Sequence, residues 1–171
     1  MEGWVEQLRG EEFLVLDGVF QDEHGDYPVG SYVRNPPTSR HTPGSSAGCT
    51  IFVKLWQFDP ADRTEVRMTT AGQAFASAED RPSVSVLPLF QDAVEQVCLE
   101  EWAPGAHVRI PAPGGLELLV LDGSFDEQGE RFTEQSWLRL PPGASFAGTA
   151  GPAGCRVWRK SGHLATIRPT P

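Results

Sequence analysis

The sequence contains one pattern twice, and this internal repeat constrains the fold more than any other feature. Residues 10–20 return as residues 115–125, and both segments contain the run Leu-Val-Leu-Asp-Gly. Residues 32–37 return at the same spacing as 137–142, and residues 47–54 return as 153–160, with one residue inserted. Three blocks in the same order predict two copies of one structural unit.

Each copy has the pattern of a β-sheet protein. The apolar runs are short and rich in β-branched and aromatic residues, and turn residues such as Asp17-Gly18 and Pro36-Pro37 separate them. The 18 glycines and 15 prolines are spread along the whole chain. We therefore predict an all-β fold of short strands joined by tight turns.

The predicted organisation is repeat 1 at residues 1–62, a connection at 63–82 and repeat 2 at 83–171. Repeat 2 has strand-like segments at 83–90 and 94–102, ahead of the recurring block, but only ten residues precede Glu11 in repeat 1. Repeat 1 is thus predicted to be truncated at its N-terminus. Another subunit or residues upstream of Met1 could complete it. Because proteins usually pair or cover an open sheet edge, we expect a homodimer.

Two segments carry a resemblance to a known family. Residues 12–37, followed by residues 48–54, resemble the cupin domain of ChrR-type anti-sigma factors. The resemblance extends to the rest of the chain through the repeat. It implies a bicupin, in which each repeat is an RmlC-like jelly roll, also described as a double-stranded β-helix.

The family has two motifs, H-x-H followed by Glu and Gly, and G-x5-P-x-G-x2-H, whose His and Glu residues bind a metal ion. Glu11 stands six residues before Gly18, as the first motif requires, and His41 closes the second motif. Thr38 stands where the second motif has a glycine. The resemblance thus implies Glu11 and His41 as metal ligands.

The histidine pair of the first motif is missing, since its positions hold Val5 and Gln7. Alternate residues on a strand share a face, so these positions should point toward the same place as Glu11 and His41. A divalent metal, Zn or Fe, could bind in repeat 1, with Gln7 offering a weak amide oxygen as a third ligand-binding side chain. The alternative is a buried carboxylate and imidazole that are hydrogen-bonded to each other.

Repeat 2 has no donor atoms at the four corresponding positions. These positions hold Ile110, Ala112, Leu116 and Phe146. Because a metal ion needs several converging donors, we exclude a cupin metal site in this half. We expect packed core or a small apolar pocket there.

Composition excludes several classes of function. The net charge of −9 disfavours binding to nucleic acid. The sequence has no apolar run of about 18 residues, which predicts no membrane span. The N-terminus lacks the features of a secretory signal, so we expect a cytoplasmic protein. The three cysteines are scattered and form no C-x-x-C pair.

Together these features predict a sensory or small-ligand-binding module of the ChrR-like kind, related to stress response and without catalytic residues. A sigma factor is a doubtful partner, because ChrR-type proteins carry a zinc-binding anti-sigma segment ahead of the cupin and this sequence begins after it. The alternative is a metal-dependent dioxygenase of the diketone-cleaving type. A third hypothesis is a degenerate partner of an intact cupin.

Overall fold

The computed structural model describes the backbone of residues 5–7 and all of residues 10–166. The chain divides into two compact units between Gln73 and Ala74, within the predicted connection. In the described ranges, the regular structure consists of 15 β-strands and one 3-10 helix. The prediction of an all-β fold is confirmed.

Unit 1 holds seven strands. They are β1 Val5–Gln7, β2 Glu11–Asp22, β3 Gly25–Pro28, β4 Ser31–Asn35, β5 Ser39–His41, β6 Cys49–Leu55 and β7 Val66–Thr69. One sheet has the order β3-β2-β4-β7, and β6 pairs with the other edge of β2. The short strands β1 and β5 pair with each other. Strand β7 lies close to the predicted short strand at 64–68.

Unit 2 holds the remaining eight strands and the 3-10 helix. They are β8 Ala76–Ala78, β9 Arg81–Gln91, β10 Gln96–Trp102, β11 His107–Ala112, β12 Leu116–Glu127, β13 Glu130–Thr133, β14 Trp137–Leu140, β15 Ala144–Ser161 and the helix His163–Thr166. The sheet order is β13-β12-β15-β10-β9-β8, with β11 on β15 and β14 on β12. Strands β9 and β10 match the predicted strands at 83–90 and 94–102.

The two repeats have the same strand registers. Three residue pairings of unit 1 recur in unit 2 at the positions that the repeat makes equivalent. They are Glu11–Asn35 with Leu116–Leu140, Glu11–Leu55 with Leu116–Ser161, and Val5–His41 with Ile110–Phe146. The internal repeat of the sequence is therefore a repeat of the structure.

A glycine explains why the Leu-Asp-Gly run recurs. Gly18 has a φ of 71° and Gly123 a φ of 72°, in the left-handed region that favours glycine. A Cβ atom at either position would collide with the carbonyl oxygen of Gly48 or Gly154 on the paired strand. The close approach of the paired chain therefore requires glycine at this position of β2 and of β12.

Each unit has its own apolar core. In unit 1 the core contains Phe13, Val15, Phe20, Tyr27 and Val33. Phe13 and Val15 share a face, but Phe20 reaches the same core from an even-numbered position because the register shifts between Val15 and Asp17. In each unit, we call the side of the sheet that packs against that unit's apolar core the core face.

Among the described residues, no helix has the length and hydropathy needed to cross a lipid bilayer.

Candidate functional site

The two surviving motif residues meet in unit 1. Glu11 begins β2, His41 ends β5, and His41 Nε2 donates a hydrogen bond to Glu11 Oε1 across 3.0 Å. Both residues are buried. The structure thus places in contact the two side chains that the motif spacing indicated. Whether they bind a ligand remains a prediction.

Two residues that the motif did not indicate complete the cluster. Asn35 Nδ2 donates to Glu11 Oε1 at 3.0 Å and lies 3.3 Å from His41 Nδ1. Asp22 Oδ2 lies 3.7 Å from His41 Nδ1 and, although buried, accepts no hydrogen bond. We call Glu11, Asp22, Asn35 and His41 the polar cluster.

The cluster explains what sequence reading missed. Asn35 is two residues after the core residue Val33 on β4, so alternation could have predicted that it shares the core face. Strand alternation could not have placed Asp22 on the core face. The register shift in β2 moves even-numbered residues to the core face, and nothing in the sequence locates the shift.

The side chains of Val5 and Gln7 lie outside the described part of the structure. Their backbones pair with His41 and Ser39, so β1 passes beside the polar cluster. The role of Gln7 as a ligand stays a prediction.

The polar cluster does not fit a metal ion. Both imidazole nitrogens of His41 face protein groups, Nε2 facing Glu11 and Nδ1 facing Asn35 and Asp22. Glu11 and Asp22 lie against opposite nitrogens of the ring, so their oxygens do not converge with it on one point. Within residues 10–166, no three His, Cys, Asp or Glu side chains form a group that could hold a metal ion. The donors present form a hydrogen-bonded cluster instead.

The hydrogen bond that His41 donates to Glu11 raises the pKa of His41 above its usual value, and the nearby charges of Asp22 and Glu23 act in the same direction. The imidazolium form is therefore more stable in the folded protein than in the unfolded chain. The resulting stabilisation is fully present below the unfolded pKa of about 6.5 and is lost as the pH rises through the folded pKa.

We accordingly predict that the free energy of unfolding falls as the pH rises from about 6.5 through the raised folded pKa of His41, and that it falls less in Glu11→Gln, which lacks the charge that raises the pKa. Urea denaturation over this range measures both slopes. Equal slopes in the two proteins would contradict the coupling between Glu11 and His41.

Beside the cluster, the core face of unit 1 is open. Val53 and Leu55 on β6 lie opposite Phe13 and Glu11 in the sheet and so share their face. Phe13 is buried, but Val53 is 39% exposed and Leu55 is 49% exposed. In unit 2 the equivalent stretch of β15 is paired with β10, whereas in the described part of unit 1 β6 pairs with β2 alone.

The corresponding positions of repeat 2 lie in an apolar core. Ile110, Ala112, Leu116 and Phe146 are all buried in one hydrophobic cluster. Trp102, Phe125 and Phe146 pack there with ring centroids 5.4–5.6 Å apart. These side chains supply no donor atom for a metal ion.

The fold is that of a cupin. A proposed dioxygenase from Nostoc punctiforme aligns over 93% of this chain and 64% of its own, with a TM-score of 0.73 and 15% identity. YlbA from E. coli aligns over 93% and 70%, with a TM-score of 0.68 and 14% identity. Streptomyces albus HEPD, solved with 2-hydroxyethylphosphonate and Fe(II), aligns over 96% and 64%, with a TM-score of 0.67 and 11% identity. The chain thus spans slightly under two thirds of two of these proteins.

The family resemblance is confirmed for the first repeat. Residues 6–59 match the family model described as the ChrR Cupin-like domain. The matched segment includes Glu11 and His41. Among curated proteins, no sequence matches the chain.

Proposed function

We propose that this protein is a non-enzymatic, ChrR-like cupin module that binds a small apolar ligand at repeat 1. The supporting observation is the exposure of Val53 and Leu55 on the core face of β6. Apolar side chains on a core face are normally covered, and exposed apolar surface commonly marks a ligand or partner site. A sensory role in stress response is proposed from the ChrR resemblance alone.

The polar cluster gives this site one polar end. The polar cluster lies on the same core face as the apolar side chains of Phe13 and Val33. A site that is mostly apolar with a few fixed polar groups is typical of small-molecule binding. The proposed ligand is thus apolar, with at most one polar group.

The fluorescence of 1-anilinonaphthalene-8-sulfonate, a probe of open apolar surface, tests this site. We expect the double variant Val53→Ser, Leu55→Ser to lose most of the enhancement seen with the unmodified protein. Val29→Ser is the matched control, since Val29 is 50% exposed but lies in a turn away from β6. Equal loss in the control and the double variant would refute the assignment.

A homodimer is part of the proposal. Unit 2 illustrates how the equivalent edge is covered, since residues Cys155–Ser161 of β15 pair with β10. A second copy could pair its β6 antiparallel with the other edge of β6 in unit 1, which covers the strand edge and leaves the core face with Val53 and Leu55 open to a ligand. Lys54 is the one charged residue in β6. In an antiparallel pair of β6 strands, the two Lys54 side chains would face each other only if the pairing were centred on Lys54.

The dimer is tested by multi-angle light scattering after gel filtration. We expect a dimer mass for the unmodified protein and a monomer mass for Val53→Asp, which places a charge on the proposed interface. Val29→Asp carries the same change outside β6 and should remain dimeric. A monomeric unmodified protein, or a dimeric Val53→Asp, would contradict the proposal.

The alternative function, an Fe- or Zn-dependent dioxygenase, has only fold-level support. HEPD was solved with Fe(II) bound, but its identity to this chain is 11%. A structural similarity at that identity supports a shared fold and not a shared reaction. The polar cluster does not fit a metal ion, so it supports no catalytic step that depends on one. Oxygen consumption by the iron-loaded protein that is abolished by His41→Ala would favour this alternative.

A further inference from the structure

We infer that unit 2 contains a second binding site, for a small organic carboxylate, in a cavity of about 410 Å³ that is lined by Arg81 and Arg159. The turn between β9 and β10, the turn between β11 and β12 and the end of β15 border this cavity. The inference is independent of the proposed ligand of repeat 1. It concerns different residues in a different unit.

Beside the cavity, charged groups lie on the core face of unit 2. Glu100 on β10 lies opposite Val157 on β15, and Val157 belongs to the apolar core of unit 2. Alternation therefore places Glu100 and Arg159 on the same core face. The Glu100 side chain is 0% exposed, so its charge needs buried partners.

Glu100 is fully occupied by its neighbours. Its two oxygens accept paired hydrogen bonds from Arg81, at 2.9 and 3.0 Å, and Oε2 also accepts one from Trp102 Nε1 at 2.8 Å. Arg159 Nε lies 3.2 Å from Oε1, without the alignment of a hydrogen bond, and its Nη2 donates to Gln96. Two guanidinium groups thus share the Glu100 carboxylate.

The Arg159 side chain is only 9% exposed, and it shares the Glu100 carboxylate with Arg81, which is less buried and also lies 3.6 Å from Asp80. Glu95, which also lines the cavity, is already paired with Lys160 at 3.1 Å. Since a buried charge without full compensation is costly, an anion in the cavity would be stabilised by Arg159, whose Nε donates no hydrogen bond. Arginine is well suited to binding a carboxylate, because its planar guanidinium can donate two parallel hydrogen bonds to the two oxygens.

The rim of the cavity contains two acids and a further arginine. The Asp80 side chain is exposed and lies 3.6 Å from Arg81 Nε, and Asp92 Oδ1 accepts the backbone N–H groups of Val94 and Glu95. Arg109 at the rim is exposed as well. In contact with water these charges are screened more strongly than the buried charge of Arg159, so Arg159 determines the sign of the ligand.

The remaining lining sets the kind of anion. Val94, Ile110, Pro111 and Pro113 give the cavity an apolar side. A volume of about 410 Å³ is at the lower end of the range for small-molecule pockets, about 300–1,000 Å³. These features favour a carboxylate on a small apolar body over an inorganic anion.

Benzoate is a suitable probe, with benzamide as its uncharged match and sulfate as an anion without an apolar body. Isothermal titration calorimetry on the full chain measures all three. We expect benzoate to bind more tightly than benzamide and sulfate. Arg159→Gln should weaken benzoate binding by about tenfold or more, as expected for the loss of a charge-assisted contact.

Two further variants separate this result from a general loss of charge or of folding. Arg131→Gln removes the same charge from an exposed hairpin outside the cavity and should bind benzoate normally. Ala93→Phe changes an exposed turn residue that lines the cavity, and it should block binding while the arginines remain in place. Benzamide or sulfate binding as tightly as benzoate would overturn the inference. So would unchanged benzoate binding in Arg159→Gln or Ala93→Phe.

Discussion

His41→Ala is expected to lower the free energy of unfolding by about 3 kcal/mol, because it removes one partner of a buried pair and leaves Glu11 uncompensated. Glu11 would keep its hydrogen bond from Asn35, so part of its solvation is still replaced. Urea denaturation followed by tryptophan fluorescence measures the change.

The sequence of repeat 2 suggests a matched control for His41→Ala. Repeat 2 folds with Leu116 and Phe146 at the equivalent positions, so Glu11→Leu combined with His41→Phe replaces the pair by apolar side chains that this fold already accommodates. Replacing both members of a buried pair is often nearly neutral. We expect the double variant to be more stable than His41→Ala. If it is less stable, pairing is not the reason that the two residues occur together.

Glu100→Leu is expected to destabilise unit 2 by about 3–5 kcal/mol, because Arg81 and Arg159 would both lose their shared buried carboxylate. Glu101→Leu is the control at the adjacent position. The Glu101 side chain is 51% exposed and lies 3.8 Å from Arg156, so its loss should cost no more than about 1 kcal/mol. Similar losses in the two variants would contradict the assignment of Glu100 as the centre of the cluster.

Much of the fold could be predicted from the sequence because the repeat supplies two independent readings of one pattern. The Leu-Asp-Gly run marked the same bend in both copies, and the equivalence of Val5 with Ile110 and of His41 with Phe146 follows from it. These positions depend on strand alternation and register, which are local properties of the chain.

The polar groups were harder to predict because their partners are distant in sequence. Asp22 reaches the polar cluster only because of a register shift in β2. Glu100 and Glu101 are adjacent and chemically identical, and the sequence does not distinguish the buried residue from the exposed one. Burial of Glu100 depends on Arg81 and Arg159, which come from two other strands. The charged groups around Glu100 therefore could not be predicted from the sequence.

The central claim is that repeat 1 has kept two cupin ligand residues as a hydrogen-bonded cluster without a metal ion. Elemental analysis of protein purified without chelators tests it most directly, with the variant Val5→His, Gln7→His, which restores the missing motif histidines, as the positive control. We predict no stoichiometric transition metal in the unmodified protein and metal uptake by the variant. One tightly held zinc or iron ion per unmodified chain, lost in His41→Ala, would contradict the claim.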